Sequence, residues 1–262
     1  MNYLHFFQFK TAPFDKKSDG GFSFQSKVFT QAKERLEIIR QSGGIFCLYG
    51  EYGTGKSALL YQWVASLPHQ VSYVYLDYVK ASSYGILFLI NRGFCLPQSY
   101  SKVKLVCALK DYFKSAAEKP IIIIDEAHEL ANETLDDIRM LTSQDFDTDS
   151  SFVLIFSAHT SFFTKLSRHQ ALKQRINLSY ELIPFSRQEC SAYLKQRIKA
   201  AGCNHFPFTL PAEDKIFEYS AGIARKINKI ATLSLMVAAS SALNMIDERV
   251  CESVIIELSK NV

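Results

Sequence analysis

This chain has no run of apolar residues near the roughly 18 that a membrane-spanning helix requires. The longest, 233–246 (LSLMVAASSALNMI), is broken by serines and an asparagine and reads as a buried helix. The opening segment, MNYLHFFQFKTAPFDKK, has no basic stretch followed by a long apolar one, so a secretory signal is not expected. No two cysteines have CxxC spacing. Cys47, Cys95, Cys107, Cys190, Cys203 and Cys251 lie far apart, mostly within apolar runs, which predicts buried free thiols in a reducing compartment rather than disulfides or a zinc site. Internal repeats and low-complexity tracts are missing too. Charge of one sign is scarce: the net charge is +4, which permits contact with nucleic acid or an acidic surface without arguing for either. A cytoplasmic protein is expected.

What is present is enough for a packed core. The 262 residues are 48% hydrophobic and 21% charged, the size and balance of one large domain or of a core with a small companion. Residues 1–25 are aromatic-rich and irregular, interrupted by Pro13 and the SDGG at 18–21. From 26 to 182 strand-like runs alternate with helical periodicity. Strands are expected at IFCLYG, 71–78, within 120–130, where a strand runs into a loop and helix, and 152–158, with a helix and a further short strand within 162–182; the four isoleucines 121–124 suit a parallel strand covered on both faces. After Pro184 only helical patterns remain. The expected fold is therefore α/β: a three-layer core with a parallel sheet over 26–182, followed by a small helical subdomain over 183–262.

The chemistry begins at LYGEYGTGKSALL, 48–60. Gly50 to Ser57 fits GxxxxGK[ST], and it lies between a strand and a helix, the context in which that pattern makes a phosphate-binding loop. Glycines let backbone N–H groups approach phosphate oxygens, and the next helix adds its positive end. The expected nucleotide contacts are Gly50, Glu51, Tyr52, Gly53, Thr54, Gly55, Lys56, Ser57 and Ala58, with Lys56 on the terminal phosphates and the Ser57 hydroxyl on Mg2+.

IIIIDEAH, 121–128, supplies the second half. Asp125, at the end of a buried strand, is the candidate for the magnesium shell, and Glu126 for polarising the attacking water. No NKxD follows a strand, so ATP is expected rather than GTP. His128 completes the letters DEAH, but other helicase motifs are absent, and it reads as a packing or solvent-exposed histidine. The strand ending LIFSAHT should lie beside the acidic strand. Ser157, His159 and Thr160 are candidate γ-phosphate sensors, and the choice among them stays open. Arg175 is the candidate arginine finger, acting on a neighbouring subunit's nucleotide, with Arg168 a weaker competitor. Arg225, in SAGIARKIN, opens a helix of the second subdomain and is a candidate for reaching the γ-phosphate.

In order, these features resemble an AAA+ P-loop ATPase, and more closely the ExeA/GspA-type ATPases. YLHFFQFKTAPFD is similar to that family's opening signature, GEYGTGKSALL to its phosphate loop, and IDEAHEL with TLDDIRMLTSQDFDTD to its acidic segment. LKQRINLSYELIPFSRQECSAYLKQRIKAAG resembles its finger and lid entry, and FEYSAGIARKINKIA its lid motif, usually GxPRxIN. Where the family usually has Gly-Gln-Pro after the sensor strand, this chain has Ser157-Ala158-His159, and Ala224 stands in place of the lid proline. The resemblance implies Mg2+ and ATP, a homo-oligomer, and location in the cytoplasm or peripherally at the inner membrane through a partner. It also implies an adenine pocket built from the N-terminal aromatics and the lid. Secretion members of the family continue into a transmembrane helix and a peptidoglycan-binding domain, whereas this chain is expected to stop at the lid.

Three functions follow from it. One is an ATPase that assembles or remodels a protein partner in secretion or pilus assembly. Another is an ATP-dependent DNA-binding regulator of a transposase, since short members are similar to MuB/TnsC/TniB-type ATPases. The third is a nucleotide-dependent switch with little hydrolysis. For the second, Lys165, Arg168, Lys173, Arg187, Lys195, Arg197 and Lys199 are candidate phosphate contacts, against the plainer reading of a solvated basic face. The aromatics Tyr3, Phe6, Phe7, Phe9 and Phe14 read as packing.

Overall fold

The structure is a computed structural model describing residues 2–15, 24, 26–77, 83–142 and 150–260. Its strands are β1 (Gly44–Tyr49), β2 (Tyr73–Leu76), β3 (Ile121–Ile124), β4 (Val153–Ala158) and β5 (Ile176–Glu181). They form one sheet in the order β2-β3-β4-β1-β5, every neighbouring pair parallel. A parallel pair needs a crossover between its strands, so the helices between them must cover the sheet's faces. β1, β3 and β4 are buried along nearly their whole length, whereas β5, at the sheet edge, alternates between half-buried and exposed.

Two compact units are present. One comprises Thr30–Glu51 and Leu59–Leu182, and contains the sheet. One face of that sheet, carrying Ile45, Cys47, Ile122, Ile124, Leu154 and Phe156, packs on α4 (Ser83–Gly93), α5 (Lys102–Ser115), α6 (Asn132–Leu141), α7 (Phe162–Leu166) and α8 (Gln170–Lys173). Residues of the opposite parity, Phe46, Leu48, Ile121, Ile123, Val153 and Ile155, are also fully buried, so both faces are covered. Buried stripes on two more helices belong to the same layering: Leu36 and Ile39 on α2 (Lys27–Ser42), and Leu59, Leu60 and Trp63 on α3 (Lys56–Ala65).

The other unit comprises Met1–Phe29, Tyr52–Ala58 and Ile183–Val262. It contains α1 (Tyr3–Phe6), α9 (Arg187–Ala200), α10 (Leu210–Ser220), α11 (Ala224–Ser240) and α12 (Glu248–Lys260). Ser186 and Glu189 form a reciprocal cap that starts α9, and the Thr209 side chain caps α10. α11 buries Ile227, Ile230, Ala231, Ser234, Leu235 and Ala238, the i, i+3, i+4 spacing of a core-facing stripe, and packs on α10 and α12. Phe7, Phe9 and Phe14 are buried, as packing requires, while Tyr3 and Phe6 are half-buried.

Several expectations need adjusting. The segment 1–25 is not wholly irregular, because Asn2 caps a single helical turn. The buried-thiol expectation holds for Cys47, Cys190 and Cys251, but Cys95 and Cys107 are exposed, one in the turn after α4 and one on α5. Most of the acidic loop at 146–151, the end of the expected helix at 132–144, and the SDGG at 18–21 lie outside the described residues. Among the described residues, no helix is long and apolar enough to cross a membrane.

Candidate nucleotide-binding site

The phosphate loop begins where β1 ends. Gly50 N–H donates to Ala158 O at 3.2 Å, continuing the β1–β4 pairing one residue past the strand. Glu51 and Tyr52 are exposed, Ser57 and Ala58 half-buried, and Thr54 and Lys56 buried. Within the helical unit, Gly53 has φ 83° and a Cβ there would lie 2.7 Å from Arg225 Cβ. Only glycine satisfies both demands. The Arg225 peptide N–H donates to Gly53 O at 3.1 Å, so the residue near the start of α11 is bound to the loop's backbone. Gly55 (φ 103°) is equally constrained, with the Phe29 ring 3.0 Å from where a Cβ would stand. Phe29 belongs to an aromatic group with Phe24, Phe185 and Tyr193.

The acidic pair lies in the sheet unit. Asp125 is buried and continues the β2–β3 ladder through its N–H to Leu76 O at 2.9 Å. Its Oδ1 accepts the Glu126 N–H at 3.0 Å, and its Oδ2 accepts the Tyr75 hydroxyl at 2.9 Å. Burial, followed by the Asp125 charge, pushes the Tyr75 phenol well above its ordinary range, so it stays a donor. The Tyr61 ring stacks on Tyr75, centroids 4.5 Å apart. Glu126 has φ 52° and ψ 38°, a left-handed backbone that non-glycine residues adopt at a cost of about 1 kcal/mol or more. The turn is held from both sides, by Asp125 Oδ1 and by the Glu129 N–H on Glu126 O at 2.9 Å.

His128 follows in the 3-10 turn Ala127–Glu129. It is buried, not solvent-exposed, and its ring faces Glu126, Glu129 and the backbone of His159. Lys165 Nζ closes the turn by donating to the carbonyls of His128 and Leu130.

The three sensor candidates fall in different environments. Ser157 is fully buried within β4, and its hydroxyl finds no hydrogen-bond partner among the described residues. His159 Nε2 lies 3.3 Å from Glu51 Oε2, and the Thr160 hydroxyl donates to Glu51 Oε1 at 3.4 Å. His159 and Thr160 thus meet on a phosphate-loop side chain.

Arg175 Nη1 donates to Arg139 O at 3.1 Å and reaches the Thr142 hydroxyl oxygen at 3.5 Å, covering one carbonyl at the end of α6. Arg168 is exposed. Among the other basic candidates, Lys173 and Lys199 are exposed, Arg187 pairs with Asp214, and Lys195 lies 3.7 Å from Glu213. Arg197 is only 2% exposed, with its guanidinium near the Tyr193 ring and Asp15 O.

Reading the sequence singled out the loop, the acidic pair and Arg225, but not the groups that hold them. Tyr75, Phe29 and Lys165 carry no motif. His128 offered one signal, a buriable imidazole three residues after Asp125.

Residues 39–166 match the family model described as an AAA domain. The chain is 30% identical over 246 residues to general secretion pathway protein A of Aeromonas hydrophila, covering 90% of this chain and 45% of that one. It is an ExeA/GspA-like AAA+ protein. It spans about half the length of that curated relative. The AAA+ fold recurs in solved structures of low identity. Cdc6p from Pyrobaculum aerophilum has a TM-score of 0.70 at 17% identity, covering 88% of this chain and 68% of that one. ORC2 from Aeropyrum pernix gives 0.65 at 16%, covering 93% and 71%, and the RuvB branch migration motor of Thermotoga maritima 0.58 at 15%, covering 90% and 70%. At such identities the likeness is one of fold: a P-loop AAA+ α/β sheet with a helical C-terminal part.

Proposed function

We propose that this AAA+ protein binds Mg2+ and ATP, hydrolyses the nucleotide as a homo-oligomer, and uses the cycle to assemble or remodel a protein complex of the secretion or pilus type. The observation that carries the proposal is the bond from Arg225 N–H to Gly53 O, which anchors the helix bearing the candidate γ-phosphate arginine on the phosphate loop. The left-handed backbones at Gly53 and Gly55 support the reading of a loop that turns peptide N–H groups toward phosphate oxygens. Ser57 and Asp125 offer the hard oxygen donors that Mg2+ prefers. When bound, the metal would supply positive charge to phosphate oxygens.

The roles of the protein's own residues follow from their chemistry. Lys56 and Arg225 neutralise phosphate charge, and the other loop residues, Gly50 through Ala58, provide backbone donors. Glu126 accepts a proton from the attacking water. His159 and Thr160 are the favoured sensors, since both meet Glu51, while Ser157 lies sealed within β4. Arg175 is assigned to a neighbouring subunit's site. The partner class rests on the name of the Aeromonas relative.

Steady-state ATP turnover and nucleotide binding test the reading. Lys56→Ala should abolish binding or turnover, and Glu126→Gln should bind ATP and retain it unhydrolysed. Normal turnover by Glu126→Gln would remove its assigned role. ATP binding without hydrolysis in the wild type would leave a nucleotide switch. DNA binding that requires ATP and falls steeply with salt would move the reading to transposition.

A further inference from the structure

His128 links two parts of the sheet unit that the chain brings together from far apart. Its Nδ1 accepts the His159 peptide N–H at 3.2 Å. A ring nitrogen that accepts a hydrogen bond carries no proton, so the ring's hydrogen is on Nε2. That Nε2 stands 3.4 Å from Glu126 Oε2 and 3.5 Å from Glu129 Oε1. The turn beneath the ring is held by Lys165 on the carbonyls of His128 and Leu130. The contacts continue on the other side. His159 Nδ1 lies against Ser161, 3.2 Å from its N–H and 3.0 Å from its hydroxyl, and His159 Nε2 lies 3.3 Å from Glu51 Oε2.

We propose that His128 is a positioning residue for Glu126, holding its carboxylate with Nε2–H and tying it, through His159, to Glu51 of the phosphate loop. The inference rests on the proposed role of Glu126 as the water-activating group. Glu126 needs such a hold. Its side chain is 37% exposed, and its backbone fixes where the carboxylate starts but not where it ends. The two imidazoles make a path along which a shift of Glu51, on nucleotide binding, displaces the carboxylate.

Substitutions that copy one ring nitrogen at a time test this. Gln at 128 places an amide N–H near the position of Nε2, and Asn places an acceptor near Nδ1 but does not reach Glu126. His128→Ala and His128→Asn should lower kcat roughly tenfold with KM for ATP changed less than about twofold, the pattern of a group that acts on turnover and not on binding. His128→Gln should recover most of the loss. Equal turnover by the Asn and Gln variants, or undiminished turnover by Ala, overturns the proposal while leaving ATP hydrolysis standing. A wild type that hydrolyses nothing overturns the functional reading instead. In that case 15N spectra of histidine-labelled protein decide: an Nε2–H tautomer at His128 whose Nε2 resonance moves in Glu126→Gln supports the link. An Nδ1–H tautomer, or no response, overturns it.

Discussion

The peptide N–H of Arg225 donates to the carbonyl of Gly53, and the Arg225 side chain occupies the space that a Cβ at position 53 would need. Gly53→Ala therefore combines a left-handed backbone with a steric clash. It should destabilise the protein by about 1–3 kcal/mol and weaken nucleotide binding at least roughly tenfold, since the loop must shift off α11. Thermal unfolding and binding of a fluorescent ATP analogue check both effects. An alanine variant with unchanged melting and affinity would mean that the junction does not matter.

Arg175→Ala should cost about 1 kcal/mol of stability, because Arg139 O loses its charged donor. Its effect on turnover is separable from that loss by mixing. Arg175→Ala subunits combined with Lys56→Ala subunits should recover activity that neither has alone, if the guanidinium acts on a neighbour's nucleotide. No recovery in a mixture shown by light scattering to co-assemble would confine Arg175 to its place at the end of α6.

Lys165→Ala should destabilise the protein by about 1–2 kcal/mol and slow ATP turnover, because two carbonyls of the Glu126 turn lose a charged donor. Chemical denaturation and turnover measure this. If Lys165 instead served DNA, its removal would lower DNA affinity and the salt slope while leaving melting unchanged.

Alkaline pH should unfold the chain through its buried thiols. Burial pushes Cys47 and Cys190 up to about 12 and Cys251 up to about 11, from an ordinary value of 9.0. The unfolded chain releases these protons near pH 9, whereas the folded chain keeps them until pH 11–12. Stability from each thiol is thus fully present below pH 9 and is lost as pH rises from 9 toward 12, by up to about 1.4 kcal/mol per pH unit each. Cys47→Ala should melt lower at neutral pH but decline less steeply between pH 9 and 11. An unaltered slope would show that Cys47 does not contribute.

The phosphate loop and acidic strand were legible in the sequence because their demands are local. Gly53 and Gly55 serve backbone angles, and Ile121–Ile124 serve a strand hidden on both faces. The Glu126–His128–His159–Glu51 contacts were not legible, since Glu51 and His159 are 108 positions apart and meet only through the pairing of β1 with β4. Periodicity says which face a residue takes, not which distant residue shares it. Cysteine burial was misjudged for Cys95 and Cys107 for a related reason: an apolar neighbourhood in sequence does not reveal that Cys95 falls in the turn after α4, or that α5 turns Cys107 outward.

The strand order has a consequence for how the chain is made. Among the described residues β1 pairs with β4 and β5, which begin at Val153 and Ile176, while β2 pairs with β3. During vectorial synthesis the segment bearing Gly50 to Ser57 is made before either partner of β1, and more than a hundred residues lie between the end of β1 and the start of the first, β4. Such non-local closure is slow and leaves an apolar strand edge open in the meantime. The phosphate loop is thus made well before the strands that flank its own strand in the sheet.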